Sequence, residues 1–593
     1  MTLIQSLLIF YPLIVPVWEA GPFDNHNIDR AESLDFLTTP EIQFQMESLK
    51  VLKDPRLRSR IAIDLIDSNN PEAIKGLTFF YELEKIDSVK ADILTVLYKM
   101  KHIEKCANSS MLKACLKNDN VIIRSYGTAL YLDKTKDASP VLNLLKNEKA
   151  LFVKNLLWND LKTYYKESPE DLLKELLNST DPLTRAGAAR QLAMKVDNPD
   201  ADSSLKKAVS DKSSIVRAYL AEGLAQRVSG GAELLATLAK DVAVPVRAFA
   251  ASAKPAPARV NMHIALSADP DSEVRRLAVV AFRYYKEPAA IDALLKAMND
   301  SFKPTRTAAE DSLIYMKATP AILERVGKEY LEQKPAVYSA VRVLGTLNDQ
   351  RFNAKIEEIL NSATDTDLMR RAINALCALD YKKASGSVDK KATCQEPLVR
   401  EAVGNALGVL NIKDTFDTLV KLSDDKDRKV TLAAIKGMGV TKDPYFINCL
   451  MGVAKDVKRA STRRAFSYWS MARINQPSSG MVSLLKRNIL KKIIPIPMSP
   501  PDYDTDFARI SAVMALIEFS KKDSAAKKAA LVTIATLKTP SSQQGTEFIS
   551  GETLQEYARQ AELYMQGKTI EKVPLPTSSP VLTVKKYVKN KRF

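Results

Sequence analysis

Along most of this chain, apolar residues recur at i, i+3, i+4 and i+7, the spacing that gives a helix one buried face. AAIDALLKAMND and DTFDTLVKLSDD are two such stretches. Each alternates with a second helical phrase that is richer in Ala and opens on an Arg. In four consecutive copies an Asp precedes that Arg by six positions: Asp211/Arg217, Asp241/Arg247, Asp269/Arg275 and Asp300/Arg306. The copies read SDKSSIVRAYLAEGLA, KDVAVPVRAFAASA, ADPDSEVRRLAVVAF and NDSFKPTRTAAEDSL. A period near 30 residues leaves room for two helices and two short turns, so it predicts a stacked array of helical hairpins.

Helical patterning starts near Ile28, and the phrase first appears as KDPRLRSRIAIDLI. Further copies centre on Arg124, Arg185, Arg342, Arg370, Arg400, Arg428, Arg463 and Arg509. Several helix starts are marked by Asp followed by Pro, at Asp54, Asp181 and Asp269, with Glu396-Pro397 a weaker version. Asp can accept from a free backbone N–H, and Pro loses nothing at the first helical position. Gly187, Gly223, Gly404 and Gly437 fall inside helical copies, which predicts close helix contact, because Gly otherwise costs about 1 kcal/mol against Ala. Residues 383–396 (KASGSVDKKATCQE) are expected to form a longer loop. Residues 493–505, with four Pro, interrupt the array. The spacing of the copies places the array at 21–492, a helical segment at 506–567 and an extended basic tail at 568–593.

These phrases resemble HEAT repeats, specifically the HEAT-like type named after the phycobilisome lyases, over roughly residues 45–520. The shared motif is an acid, three to five residues, an Arg, then small and apolar residues, and it recurs about a dozen times. The resemblance implies an all-α fold, a right-handed α-solenoid of about 12–14 stacked helical hairpins, whose second helices line the concave face. It also implies that Asp211, Arg217, Asp241, Arg247, Asp269, Arg275, Asp300 and Arg306 form a structural ladder along the stack. A residue type needed at every repeat serves stacking, whereas a site is local.

Charge changes the picture in one region. Residues 454–492 and the last nine residues together supply +14 of the formal net charge of +17. An electrostatic partner should therefore meet the C-terminal third. Within KDVKRASTRRAFSYWSMAR, residues 455–473, basic side chains interleave with Phe466, Tyr468 and Trp469. The candidate partner-binding residues are Lys458, Arg459, Arg463, Arg464, Trp469, Arg473, Lys486 and Arg487. Cations beside aromatic residues suit phosphate contact with base stacking. The competing reading is a solvated basic helix whose Phe466 and Trp469, at i and i+3, pack into the core.

Catalytic chemistry finds little support. The three His (His26, His102 and His263) lie far apart, with no metal-ligand spacing. The His-Glu pairs of HEAT-repeat deoxyhypusine hydroxylases have no counterpart. Gly567-Lys568-Thr569 has the end of a phosphate loop, but Glu562 stands where its first Gly is required. No catalytic residue, metal or cofactor is assigned.

The apolar run Leu7–Val17 within the first 20 residues is too short to span a bilayer. It reads either as a signal peptide, making the protein periplasmic or extracellular, or as an apolar segment docked on the first helices. Export is slightly favoured over a cytoplasmic location. It would suit disulfides Cys106/Cys115 and Cys377/Cys394, against burial of the same residues as small hydrophobes. The expected function is a non-catalytic scaffold for a protein or peptide, with a basic C-terminal dock. Nucleic-acid or polyanion binding through 455–492 is the alternative, and a lyase-like chaperone of cofactor attachment the weaker one. Charge reversal at Arg463 and Arg464 is expected to weaken partner binding without unfolding the array.

Overall fold

A computed structural model describes residues 51–65, 71–100, 109–200, 202–456, 460–490 and 506–538, with a few single positions near residues 45–50 and 562–565. The apolar N-terminal run, Cys106, His26, His102, Lys458, Arg459, the Pro-rich 493–505 and the basic tail lie outside the described residues. Every described element is helical, and the fold is an all-α solenoid. It divides into two compact units, residues 1–253 and 254–593.

In each unit one set of helices stacks directly on itself. In the first unit these include Val121–Thr135, Leu151–Asp160, Pro182–Lys195, Ser214–Ala225 and Val244–Ala251. In the second they include Lys303–Tyr315, Ala336–Thr346, Thr366–Ala378, Pro397–Leu410, Arg428–Thr441, Ser461–Ile474 and Asp506–Ser520. These are the helices of the Arg phrase. The amphipathic stretches between them form shorter helices, such as Glu170–Leu176 and Phe416–Leu422, that pack against the next arginine helix.

Sequence explains the close stacking. The Pro397–Leu410 helix buries Val399, Val403, Leu407 and Leu410, and Phe416–Leu422 adds Phe416, Leu419 and Leu422 to the same core. Each fully buried aliphatic or aromatic side chain contributes roughly 1.5–3 kcal/mol. Small residues set the distance between neighbouring arginine helices. A Cβ added to Gly437 would sit 2.5 Å from the Gly404 carbonyl oxygen, and one added to Gly223 2.5 Å from that of Arg190. Gly187 makes room for the indole of Trp158 in the same way. A side chain at these positions would push the stacked helices apart.

Helix starts follow the capping logic in most places. Asp54 accepts from the Arg56 N–H at 2.9 Å ahead of Pro55, and Asp181 accepts from the Thr184 N–H at 2.8 Å ahead of Pro182. Asp269-Pro270 differs. The helix begins two residues later, at Ser272, and Asp271 is its N-cap. The carboxylate of Asp269 instead accepts from the Asp271 N–H and braces the turn before the helix.

The expected loop at 383–396 is also helical in most of its length. Lys382–Ala384, Ser385–Asp389 and Lys390–Thr393 form three short turns of helix, with Ala384 and Val388 buried. This segment takes the place of the intervening helix in its repeat. Its Ser, Gly and Lys content hides a face supplied by Ala384 and Val388, with Ala392 and Cys394 packed beside them.

Candidate binding site at the gap in the arginine ladder

The arginine helices share a register that starts at their first turn. The ladder side chain is the fourth residue of each helix: Arg124, Lys154, Arg185, Arg217, Arg247, Arg275, Arg306, Arg400, Thr431 and Arg464 all hold this position. From Arg185 to Arg464 successive fourth positions lie 28–33 residues apart, more even than the spacing of the Arg residues read along the sequence. Four of the Arg phrases were therefore centred off register, at Arg342, Arg370, Arg428 and Arg463.

At a complete rung the guanidinium makes two kinds of bond. Arg217 donates through Nη1 to the backbone carbonyl of Asp211, six residues earlier, at 2.6 Å. Through Nε and Nη2 it forms a fork with Asp241 of the next repeat, at 2.5 and 2.9 Å. The Asp241 carboxylate also accepts from the Ala243 N–H at 2.8 Å. The same arrangement joins Arg58 to Glu84, Arg124 to Glu148, Arg185 to Asp211, Arg275 to Asp300 and Arg400 to Asp425. Arg247 and Arg306 donate to the carbonyls of Asp241 and Asp300. Lys154 reaches Asp181 at 3.0 Å, and the Thr431 hydroxyl reaches the Asp425 carbonyl at 3.0 Å. Asp211, Asp241 and Asp300 thus each offer a backbone carbonyl to the Arg six residues later, while their carboxylates serve the Arg of the preceding repeat.

The environment of these acids is consistent with that geometry. Burial pushes the carboxyls of Asp211, Asp241 and Asp300 up. The arginine fork and the backbone donor outweigh burial and hold all three below the usual carboxylate range. At Asp425 the hydrogen bond from Arg400 is the leading cause of the same lowering.

Between Arg306 and Arg400 the ladder is interrupted. The acid positions, three residues before each helix start, are held by Gln333, Ala363 and Cys394, and the fourth positions by Ser339 and Met369. A different network fills the gap. Glu310, only 2% exposed, accepts from the Ser339 hydroxyl at 2.7 Å, from Arg342 Nη1 at 2.7 Å and from Arg371 Nη1 at 3.2 Å. Arg342 Nη1 also reaches Asp311 at 2.8 Å. Asp367 pairs with Arg370 at 2.5 Å and with Arg371 at 3.3 Å. Arg342, Arg370 and Arg371 line a cavity of about 290 Å³ with Asn374 beside them. From Asn374 an exposed row continues at the ninth residue of the next two helices, Asn405 and Lys436. Local sequence pattern does not reveal this site, because Arg342 and Arg370 look like ordinary repeat copies. A signal was present in the loss of the acid at 333, 363 and 394 together with the doubled Arg370-Arg371.

The basic C-terminal candidates sit differently from one another. Arg464 is a fourth-position residue, 1% exposed, with Nη1 donating to the Asp456 carbonyl at 3.2 Å. It is no surface contact, and reversing its charge would disturb the stack, contrary to the expectation. Trp469, Phe466 and Tyr468 are buried, so they form no stacking platform for bases. The guanidinium of half-buried Arg473 lies 5.7 Å from the Trp469 ring centre. Arg463 is half-buried, and Lys486 and Arg487 are exposed on Ser479–Leu490. His263 is buried, with Nδ1 2.8 Å from the Tyr285 hydroxyl. Among the described residues no group of His, Cys, Asp and Glu is arranged to hold a metal ion, and no helix is long and apolar enough to cross a membrane.

No protein-family model matches the sequence, and no curated protein matches it. Among solved structures, the chain is similar to an importin beta at 11% identity and TM-score 0.48, over 88% of this chain and 72% of that one. It is similar to yeast importin beta (Kap95p) at 12% identity and TM-score 0.42, over 89% and 88%. A human deoxyhypusine hydroxylase aligns at 15% identity and TM-score 0.20, over 41% of this chain and 95% of that one. The expectation of export is corrected. Several of these neighbours are importins, and one Kap95p structure concerns nuclear import complex assembly. The disulfide that export would have suited is also not formed, since Cys377 and Cys394 are free thiols, and Cys115 is a buried thiol beside the Tyr81 hydroxyl.

Proposed function

We propose that this chain, a HEAT-repeat α-solenoid, is a non-catalytic scaffold that binds a protein or peptide along the exposed face of its arginine helices. The observation that carries the reading is the row Asn374, Asn405 and Lys436. It places one exposed polar side chain per repeat at a constant position on close-packed helices. A rigid row at the repeat period suits an extended partner, which can hold each anchor without ordering the scaffold. The Asp–Arg phrase supports placing the repeats in the phycobilisome-lyase type of HEAT repeat. The poverty of the sequence in His supports a non-catalytic role.

The basic C-terminal region is proposed as a second, electrostatic dock, carried by exposed Lys486 and Arg487 rather than by buried Arg464. Site-specific photo-crosslinkers test the scaffold reading. Crosslinks to one partner from Asn405 and Lys436, and none from Asp417 or Lys421 on the intervening helix, are the expected result. Equal labelling from both layers would overturn it.

A further inference from the structure

The three guanidinium groups at the ladder gap keep donors in reserve. Arg342 uses only Nη1, towards Glu310 and Asp311. Arg370 uses only Nη2, towards Asp367. Arg371 uses Nε and Nη1, towards Asp367, Glu310 and the Tyr338 carbonyl. Among the described residues, nothing accepts from the remaining nitrogens of these three side chains, and all three line the cavity. Arg342 and Arg370 are 38% and 40% exposed at their side chains, so the reserve donors are open to a ligand.

We propose that this cavity is a binding site for a phosphoryl oxyanion. A planar carboxylate is filled by one guanidinium fork, whereas three guanidinium groups around one space suit a tetrahedral anion with three oxygens. The site is preorganised. A Cβ on Gly345 would sit 2.6 Å from the Ala375 Cβ, so the two helices touch and Arg342 is held beside Arg371. Buried Glu310 fixes one nitrogen of each of these two arginines and leaves the others directed elsewhere. Lys303, 3.8 Å from Asp367, adds a fourth cation at the rim. Against Glu310, Asp311 and Asp367 this leaves one positive charge in excess, so binding is salt-sensitive and the rim acids compete with the ligand. The phosphoryl group could be delivered free or on a modified side chain of a partner, and the same chemistry would recognise both.

Calorimetric titration of the full chain at low ionic strength is the test. The probes are inorganic phosphate, a phosphoserine pentapeptide and the same peptide with Glu in place of phosphoserine. Phosphate and phosphopeptide should bind and the Glu peptide should not. Arg370→Ala should weaken binding about tenfold with unchanged Tm. Asp311→Asn should tighten it by removing a competing carboxylate, a result that a purely structural role would not produce. Tighter binding of the phosphopeptide than of phosphate identifies a modified partner as the source, and equal binding identifies a small phosphate. Absence of binding by both, equal binding of the Glu peptide, or indifference to both substitutions would overturn the proposal. The crosslinking sites Asn405 and Lys436 do not line the cavity, so the scaffold reading and the oxyanion site can fail separately.

Discussion

The stretch from Arg185 to Asp241 and the stretch from Gln333 to Cys394 are built from the same hairpins and use their charges differently. In the first, the ladder arginines Arg185 and Arg217 engage all three of their nitrogens with backbone carbonyls and the carboxylate of the next repeat. In the second, the acids and arginines of the ladder are lost, and a single buried glutamate holds two arginines while leaving part of each unspent. The difference separates stacking from binding. A guanidinium with all three nitrogens engaged inside the fold serves stacking, and one held by a single nitrogen keeps donors for the proposed oxyanion.

The largest effect is expected where one acid compensates two arginines. Glu310→Ala leaves Arg342 and Arg371 without their buried partner and should cost about 3–5 kcal/mol in denaturant unfolding. A loss below about 1 kcal/mol would mean that Asp311 and Asp367 carry the charge balance instead. A single rung of the regular ladder should matter less. Asp241→Asn keeps the shape and the Ala243 contact but replaces a charged fork, and should cost about 1–2 kcal/mol by the same measurement.

Acid should loosen the ladder. The ladder carboxyls are lowered in the folded chain, so their stabilisation is present above the unfolded carboxylate value of about 4 and is lost as pH falls through the lowered folded values. Hydrogen exchange below pH 4 should therefore show helices Ser214–Ala225 and Val244–Ala251 losing protection, and an unchanged protection pattern would contradict the sign of these shifts. The smallest effect on stability belongs to Arg370→Ala. Its one partner is half-exposed Asp367, so the change should stay below about 1 kcal/mol while removing a wall of the cavity.

How much of this was legible depended on distance along the chain. The period, the Asp-Pro helix starts at Asp54 and Asp181, and the close approach at Gly187, Gly223 and Gly437 could all be read from local pattern. The gap could not, because Arg342, Arg370, Arg428 and Arg463 look like further copies of the phrase. Only the helix starts show that they fall one or three residues off the ladder position. The aromatic residues of 466–469 carried two readings, and burial decided between them in favour of the core.

What the sequence determined by itself was what a single hairpin needs: where helices begin, which face is apolar, and the six-residue spacing of Asp and Arg at the helix start. Those relations are set by the geometry of one helix start, which travels with the residues. Tertiary structure alone decided which carboxylate each Arg meets, that Arg464 is buried, and that Glu310 gathers Ser339, Arg342 and Arg371 into one network. These pairings join side chains 24 to 61 residues apart in the chain, and the stacking of helices, not local spacing, brings them together.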